Sequence, residues 1–151
     1  MPKPITEYTI SEADFSADYT ACVAFLENAT DADIVAQKIR FGQIYVAKIG
    51  EKLVGVLELE FLWQHLPLIY TLIVHEEYRG VGISKALLSN VMSRFNPSSP
   101  PYLYSSSKPR QSQAHTWHEH MGFEKCGLIE SDTYDANDNT IFFRKAVKSN
   151  A

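Results

Sequence analysis

The stretch EYRGVGISKALL, residues 77–88, sets an arginine and two glycines directly ahead of an apolar pattern with helical spacing. Glycine weakens a helix by roughly 1 kcal/mol relative to alanine, so Gly80 and Gly82 need a reason to be there. The first N–H groups of a helix lack internal partners, and the helix dipole places roughly half a positive charge at that end. Glycines at such a position let an anion reach the amides, and Arg79 adds a forked cation beside them. The stretch reads either as a phosphate cradle or as an ordinary flexible helix entry. A Walker loop would need a Gly-Lys-Ser/Thr ending that is missing, and a dinucleotide fingerprint would need glycine where Lys85 stands.

Other side chains with chemical potential lie elsewhere. In VGVLELEF, Glu58 and Glu60 alternate with Leu57, Leu59 and Phe61, which puts both carboxylates on one strand face. That face is either solvated or a source of general-base chemistry, and Glu58 is the deeper of the two. His115 and His118 share a helix face while His120 points away. No cysteine or carboxylate completes a ligand set, so no metal is expected. Cys22 and Cys126 are far apart with no CxxC spacing, and read as two reduced, partly buried thiols. Trp63, His65, Tyr70, Tyr104 and Phe143 read as lining for a substrate pocket or as packing.

The elements that position these groups can be read from periodicity. Residues 7–11 form a short strand. Ser11 or Asp14 caps a helix carrying Phe15, Tyr19, Cys22, Val23 and Leu26. A second helix starts at Thr30 or Asp31, carries Ile34, Val35 and Ile39, and ends at Gly42. Residues 44–49 and 52–61 make a hairpin turning at Gly50 and Glu51. QHLPL is a break because Pro67 cannot donate to a ladder, and residues 68–74 (LIYTLIV) form a strand buried on both faces. A helix follows over about 80–95, ended by NPSSPP. A strand at 102–105, a helix at 112–121 stopped by Gly122, and strands at 123–130 and 140–147 complete the order. Together they predict one α/β domain over residues 1–151 with a mixed, largely antiparallel sheet.

Composition excludes several classes. The chain has 151 residues, enough for one sizeable core, with a formal net charge of −4 and an ordinary balance of 45% hydrophobic and 21% charged residues. No cluster of Lys and Arg suited to phosphate backbones appears, so nucleic acid is not an expected partner. No stretch approaches the roughly 20 apolar residues of a membrane span, and the N-terminal MPKPITEYTI lacks a signal-type apolar run. The expectation is a soluble, cytoplasmic protein with no membrane partner.

The stretch Arg79, Gly80, Val81, Gly82, Ile83 and Ser84, set along the pattern R-x-x-G-x-[GA], resembles the coenzyme A pyrophosphate loop of the GNAT family of N-acetyltransferases. LIVHEEYRGVGISKALL is similar to that family's strand, loop and helix. QSQAHTWHEHMGFEKCGLI is similar to its second signature, a helix ending in Gly-Phe followed by a strand. The order of elements agrees along nearly the whole chain. Three positions depart from the pattern. Ser84 stands where glycine or alanine is usual, His118 where the family has tyrosine, and Gln111 where it often has asparagine.

The resemblance implies a GNAT-like α/β fold whose mostly antiparallel sheet is flanked by about four helices. It implies acetyl-CoA as co-substrate, bound at residues 79–84, with Gln111 as a further contact. Its pantetheine arm would pair with main-chain groups of Leu72, Ile73 and Val74, and a strand N–H would stabilise the oxyanion. A primary amine, small-molecule or peptide, would attack the thioester directly in a ternary complex. Freeing a lysine-like amine at pH 7 costs about 4.6 kcal/mol at ~1.36 kcal/mol per unit, so a base is wanted, with Glu58 or a water chain to a carboxylate as candidates. The departing thiol needs little help. His118, which titrates near neutrality as free imidazole, takes the place of the tyrosine acid. An acyl-CoA sensor with little turnover, or a longer acyl donor, would fit the same loop. A homodimer is also compatible with the chain.

Overall fold

A computed structural model describes residues 7–96 and 101–148. Residues 1–6 and 97–100, where the leader reading and most of NPSSPP fall, lie outside the described residues. Seven strands and four α-helices are present among those described. In chain order they are β1 (Thr9–Glu12), α1 (Phe15–Phe25), α2 (Ala32–Arg40), β2 (Ile44–Ile49), β3 (Lys52–Leu62), β4 (Leu66–Val74), α3 (Ile83–Met92), β5 (Tyr102–Ser107), α4 (Ser112–His120), β6 (Glu124–Ile129) and β7 (Thr140–Ala146). The sheet order is β1-β2-β3-β4-β5-β7-β6. β1 with β2, β2 with β3, β5 with β7 and β6 with β7 are antiparallel, and β4 with β5 is parallel. No helix is long and apolar enough to cross a membrane among the described residues.

The chain divides into two compact units. One holds the described residues up to Leu59 together with Thr71–Arg94, and the other holds Glu60–Tyr70 and the described residues from Phe95 onward. The division cuts β4 after Tyr70.

In the first unit, Asp14 caps α1 through the Ala17 N–H at 2.9 Å, and Asp31 begins α2. Gly42 turns the chain into β2 with φ +69°, a left-handed value that suits glycine. Cys22, Leu26, Val35, Ile39, Ile44, Val46 and Val56 form a buried cluster where these helices meet β2 and β3. On the neighbouring β3 position, a Cβ added to Gly55 would lie 3.2 Å from Ile83 and 3.3 Å from Leu87. The missing side chain is what lets α3 settle this close to the strand. Gly55→Val should therefore destabilise the protein by about 1–3 kcal/mol through overpacking, read as a lower urea midpoint.

In the second unit, Leu68 and Ile69 of β4 pair with Tyr104 and Ser105 of β5, and β5 pairs β7 along its length. The α4 helix ends at Gly122, φ +86°, and the Lys145 ammonium donates to the Met121 carbonyl. β6 is exposed at every residue, so Cys126 is an exposed free thiol rather than a partly buried one.

Four expectations are corrected. α3 begins at Ile83 and not near residue 80, because Gly80 and Gly82 both hold left-handed φ values, +80° and +92°, outside the helical region. Pro67 lies inside β4, near its start, and the break falls earlier, in a turn at residues 63–65 where Trp63 and Gln64 have φ of 50° and 68°. β4 is not buried along its length: Leu68 and Ile69 are, Tyr70 is 51% exposed, and residues 71–74 are half-buried. Conversely, β3 has no solvated face through its middle, where residues 54–59 are all buried.

Candidate active site

The loop after β4 begins with an anchor. The His75 N–H donates to the Val54 carbonyl at 2.8 Å and ties the strand end to β3. A single 3-10 turn, Glu76–Tyr78, leads to Arg79 and the two glycines. A Cβ at Gly80 would meet nothing within 4 Å, so the backbone there is open. Gly82 caps α3 with no side-chain hydrogen bond, and within the helix the Ala86 N–H closes the first turn on the Gly82 carbonyl at 3.0 Å. The N-cap residue itself thus offers no capping side chain. Open left-handed glycines before an uncapped helix fit a diphosphate approaching main-chain amides.

Arg79 is tied more tightly than its sequence suggests. Its Nε donates to the Val74 carbonyl at 3.0 Å, while its remaining guanidinium nitrogens bond no described residue. The side chain thus fastens the end of the strand that carries Leu72, Ile73 and Val74, and one edge of its fork has no described partner.

Glu58 also belongs to the first unit, and its surroundings overturn the solvated-face reading. Its side chain is 0% exposed. The Lys38 ammonium donates to Oε1 at 3.0 Å, and the Thr30 hydroxyl lies 2.8 Å and 2.9 Å from the two oxygens. A carboxylate ion-paired with Lys38 and closed to solvent is disfavoured from taking a proton from an amine. The geometry gives it a bracing role between α2 and β3. Nearby, burial reinforced by the Asp18 carboxylate pushes the Cys22 thiol up to about 12, so it stays protonated.

His118, in the second unit, is buried. Its ring stacks on Phe143 at 4.2 Å and 3°, and its Nε2 sits 2.7 Å from the Ser105 hydroxyl. Nδ1 has no hydrogen bond of ordinary geometry, although the Ala114 carbonyl lies close enough to favour the charged form. Burial dominates and pulls the imidazole from 6.5 to about 4, with His115 adding to the shift. The premise that this ring titrates near neutrality is therefore corrected: at pH 7 it is a neutral partner of Ser105. A depressed histidine stabilises the fold above the unfolded value and loses that contribution as pH falls toward the folded one. Stability should drop between pH 6.5 and 4, with a slope of up to about 1.4 kcal/mol per unit, and His118→Phe should flatten that segment of a urea-midpoint profile.

Gln111 sits at the start of α4, where its Oε1 accepts the Lys108 N–H at 2.7 Å and rounds the turn after β5. Of the residues read as pocket lining, Phe143 is core at 0% exposure, whereas Trp63 and Tyr70 stand out at 78% and 51%. Lys38 and Ser105 were not singled out from the sequence, and Thr30 was read only as a candidate helix start. Lys38 carries one signal, since it falls on the helical stripe of Val35 and Ile39, where a charge requires a buried partner.

The sequence pattern of the acetyltransferase (GNAT) domain family matches residues 40–125, more than half of the chain. No curated protein matches the sequence. Solved structures share the fold at low identity. A GNAT-family acetyltransferase from Streptococcus pneumoniae is 16% identical with a TM-score of 0.73, covering 94% of this chain and 100% of that one. The Salmonella typhimurium protein yncA, solved with its cofactor acetyl-CoA, is 15% identical with a TM-score of 0.75, covering 96% of both chains. The ribosomal-protein-S18-alanine N-acetyltransferase of Escherichia coli is 15% identical with a TM-score of 0.74, covering 96% of this chain and 97% of its own. With the loop of residues 79–84 inside the matched region, this chain belongs to the GNAT acetyltransferase family.

Proposed function

We propose that the protein is an acetyl-CoA-dependent N-acetyltransferase acting on a primary amine, and that residues 1–151 work as one such domain. The observation that carries this reading is the pair of left-handed glycines opening an uncapped α3 behind Arg79. In it, the amides of residues 80–84 and the free edge of Arg79 hold the diphosphate. The main chain of Leu72, Ile73 and Val74 aligns the pantetheine arm. Acetyl-CoA supplies an activated acetyl group whose thiol, with a pKa near 8.5, departs with little need of an acid. The chemistry therefore does not depend on His118, whose neutral ring is engaged with Ser105. Glu58 braces α2 against β3 within the loop-bearing unit in place of the base role read from its strand position. The alanine amine named for the Escherichia coli relative is one acceptor of the proposed class.

A second reading, an acyl-CoA-binding module with little turnover, draws on the burial of His118 at the motif position. The two are separated by adding a panel of primary amines to protein and acetyl-CoA and measuring free thiol. Thiol release with an acetylated amine establishes the enzyme; tight cofactor binding with no release across the panel establishes the binding module. Absence of any affinity for acetyl-CoA removes both.

A further inference from the structure

The chain between the end of β4 and the glycines is held by a circuit of contacts that runs through His75. Its N–H donates to the Val54 carbonyl at 2.8 Å, and its carbonyl accepts the Tyr78 N–H at 2.9 Å. The side chain adds a third bond: Nδ1 accepts the Glu77 N–H at 3.3 Å, so the ring proton sits on Nε2. The imidazole also lies 5.7 Å from the Tyr78 ring, and the Lys52 ammonium stands 5.2 Å over that same phenol. The circuit closes at Arg79. Its N–H donates to the Glu76 carbonyl at 3.4 Å, and its Nε returns to the carbonyl of Val74, the residue before His75, at 3.0 Å.

We propose that His75 is a positioning residue of the acyl-CoA site: by capping the turn Glu76–Tyr78 it sets where Arg79 and the amides from Gly80 onward stand. The inference rests on the reading of residues 79–84 as the diphosphate loop and gives His75 no ligand contact of its own. The turn holds itself with two backbone bonds, one of them long at 3.4 Å, so the side-chain cap is one bond in three. Glu76 and Glu77 are exposed and bring no apolar surface to the core, so packing does not take over the cap's task. The cap also calls for an acceptor at the reach of Nδ1, which makes the side-chain type at position 75 matter.

Asparagine places an oxygen where Nδ1 stands, whereas glutamine places one near Nε2, out of reach of the Glu77 N–H. Calorimetric titration with coenzyme A should show a Kd about fivefold weaker in His75→Gln and His75→Leu, the worth of one helix cap, and parent-like in His75→Asn. In turnover, KM for acetyl-CoA should rise in the same two variants while kcat holds. Pantetheine, which lacks the diphosphate, should bind parent and variants alike. An unchanged Kd for coenzyme A in His75→Gln and His75→Leu overturns the proposal. So does a weakening in His75→Asn equal to that in His75→Leu, because the cap would then not be what counts. An equal weakening for pantetheine also overturns it, since that marks a general disturbance of β4. If the parent itself fails to bind coenzyme A, the loop reading falls and the role of His75 with it, an outcome distinct from a parent that binds and variants that bind equally well.

Discussion

Glu58→Ala should destabilise the protein by about 3–5 kcal/mol, because it strands the Lys38 ammonium in a buried site without its counter-ion. The pair spans α2 and β3 with both side chains at most 5% exposed, and Thr30 fills out the carboxylate's hydrogen bonds. Truncating one member forfeits the attraction while the cost of burying the other remains. Replacing both, as Lys38→Met with Glu58→Leu, removes both charges and should recover most of the loss, since apolar side chains of similar volume often substitute for buried pairs without penalty. Urea unfolding of the two single variants and the double one closes the cycle. A single variant within about 1 kcal/mol of the parent would show that the pair does not brace the fold. Glu58→Gln then separates bracing from proton transfer, because the amide oxygen can still accept from Thr30 and Lys38 but is no base. Acetylation that survives in Glu58→Gln supports the bracing role, and acetylation lost from a well-folded Glu58→Gln would return Glu58 to the mechanism.

The second large effect is expected at Gly82. A valine there must adopt φ near +92°, which costs a β-branched residue about 1–3 kcal/mol of strain. If the chain relaxes instead, the leading amides of α3 move off the diphosphate, and hydrogen bonds to a charged acceptor are worth about 1.5–3 kcal/mol each. Together these predict an affinity for acetyl-CoA at least about a hundredfold weaker in Gly82→Val. Gly50→Val is the matched control. Gly50 has φ +60° and open space around it in the β2–β3 turn, so it carries similar strain without being one of the proposed ligand contacts. Loss of affinity in Gly82→Val but not in Gly50→Val identifies the loop as the cofactor cradle. Equal behaviour of the two variants would reduce Gly82 to a turn residue.

Much of this protein was determined by its sequence alone. The 2–3.6 alternation of apolar spacing marked the elements in their right order, and Gly50 with Glu51 turned the β2–β3 hairpin where expected. Gly42 and Gly122 ended α2 and α4, because a left-handed exit is a local property that glycine signals directly. The loop of residues 79–84 was readable as a candidate phosphate cradle for the same reason: the chemistry proposed for it lies in consecutive backbone amides, and one short stretch of sequence contains all of them.

What only the tertiary structure decided were the neighbours brought from a distance. Strand alternation set Glu58 on a face but could not say that Lys38 and Thr30, 20 and 28 residues away, would seal it from solvent. Helical spacing put His118 on α4 but not under Phe143 and beside Ser105, where desolvation takes away its charge. Nothing in the segment around Gly55 says that α3 presses against it. Burial and ion pairing are set by the sum of contacts around a group, whereas turns and helix caps are set by φ and ψ within a few residues. The first kind of fact is not written in any one segment of the chain, and the second kind is.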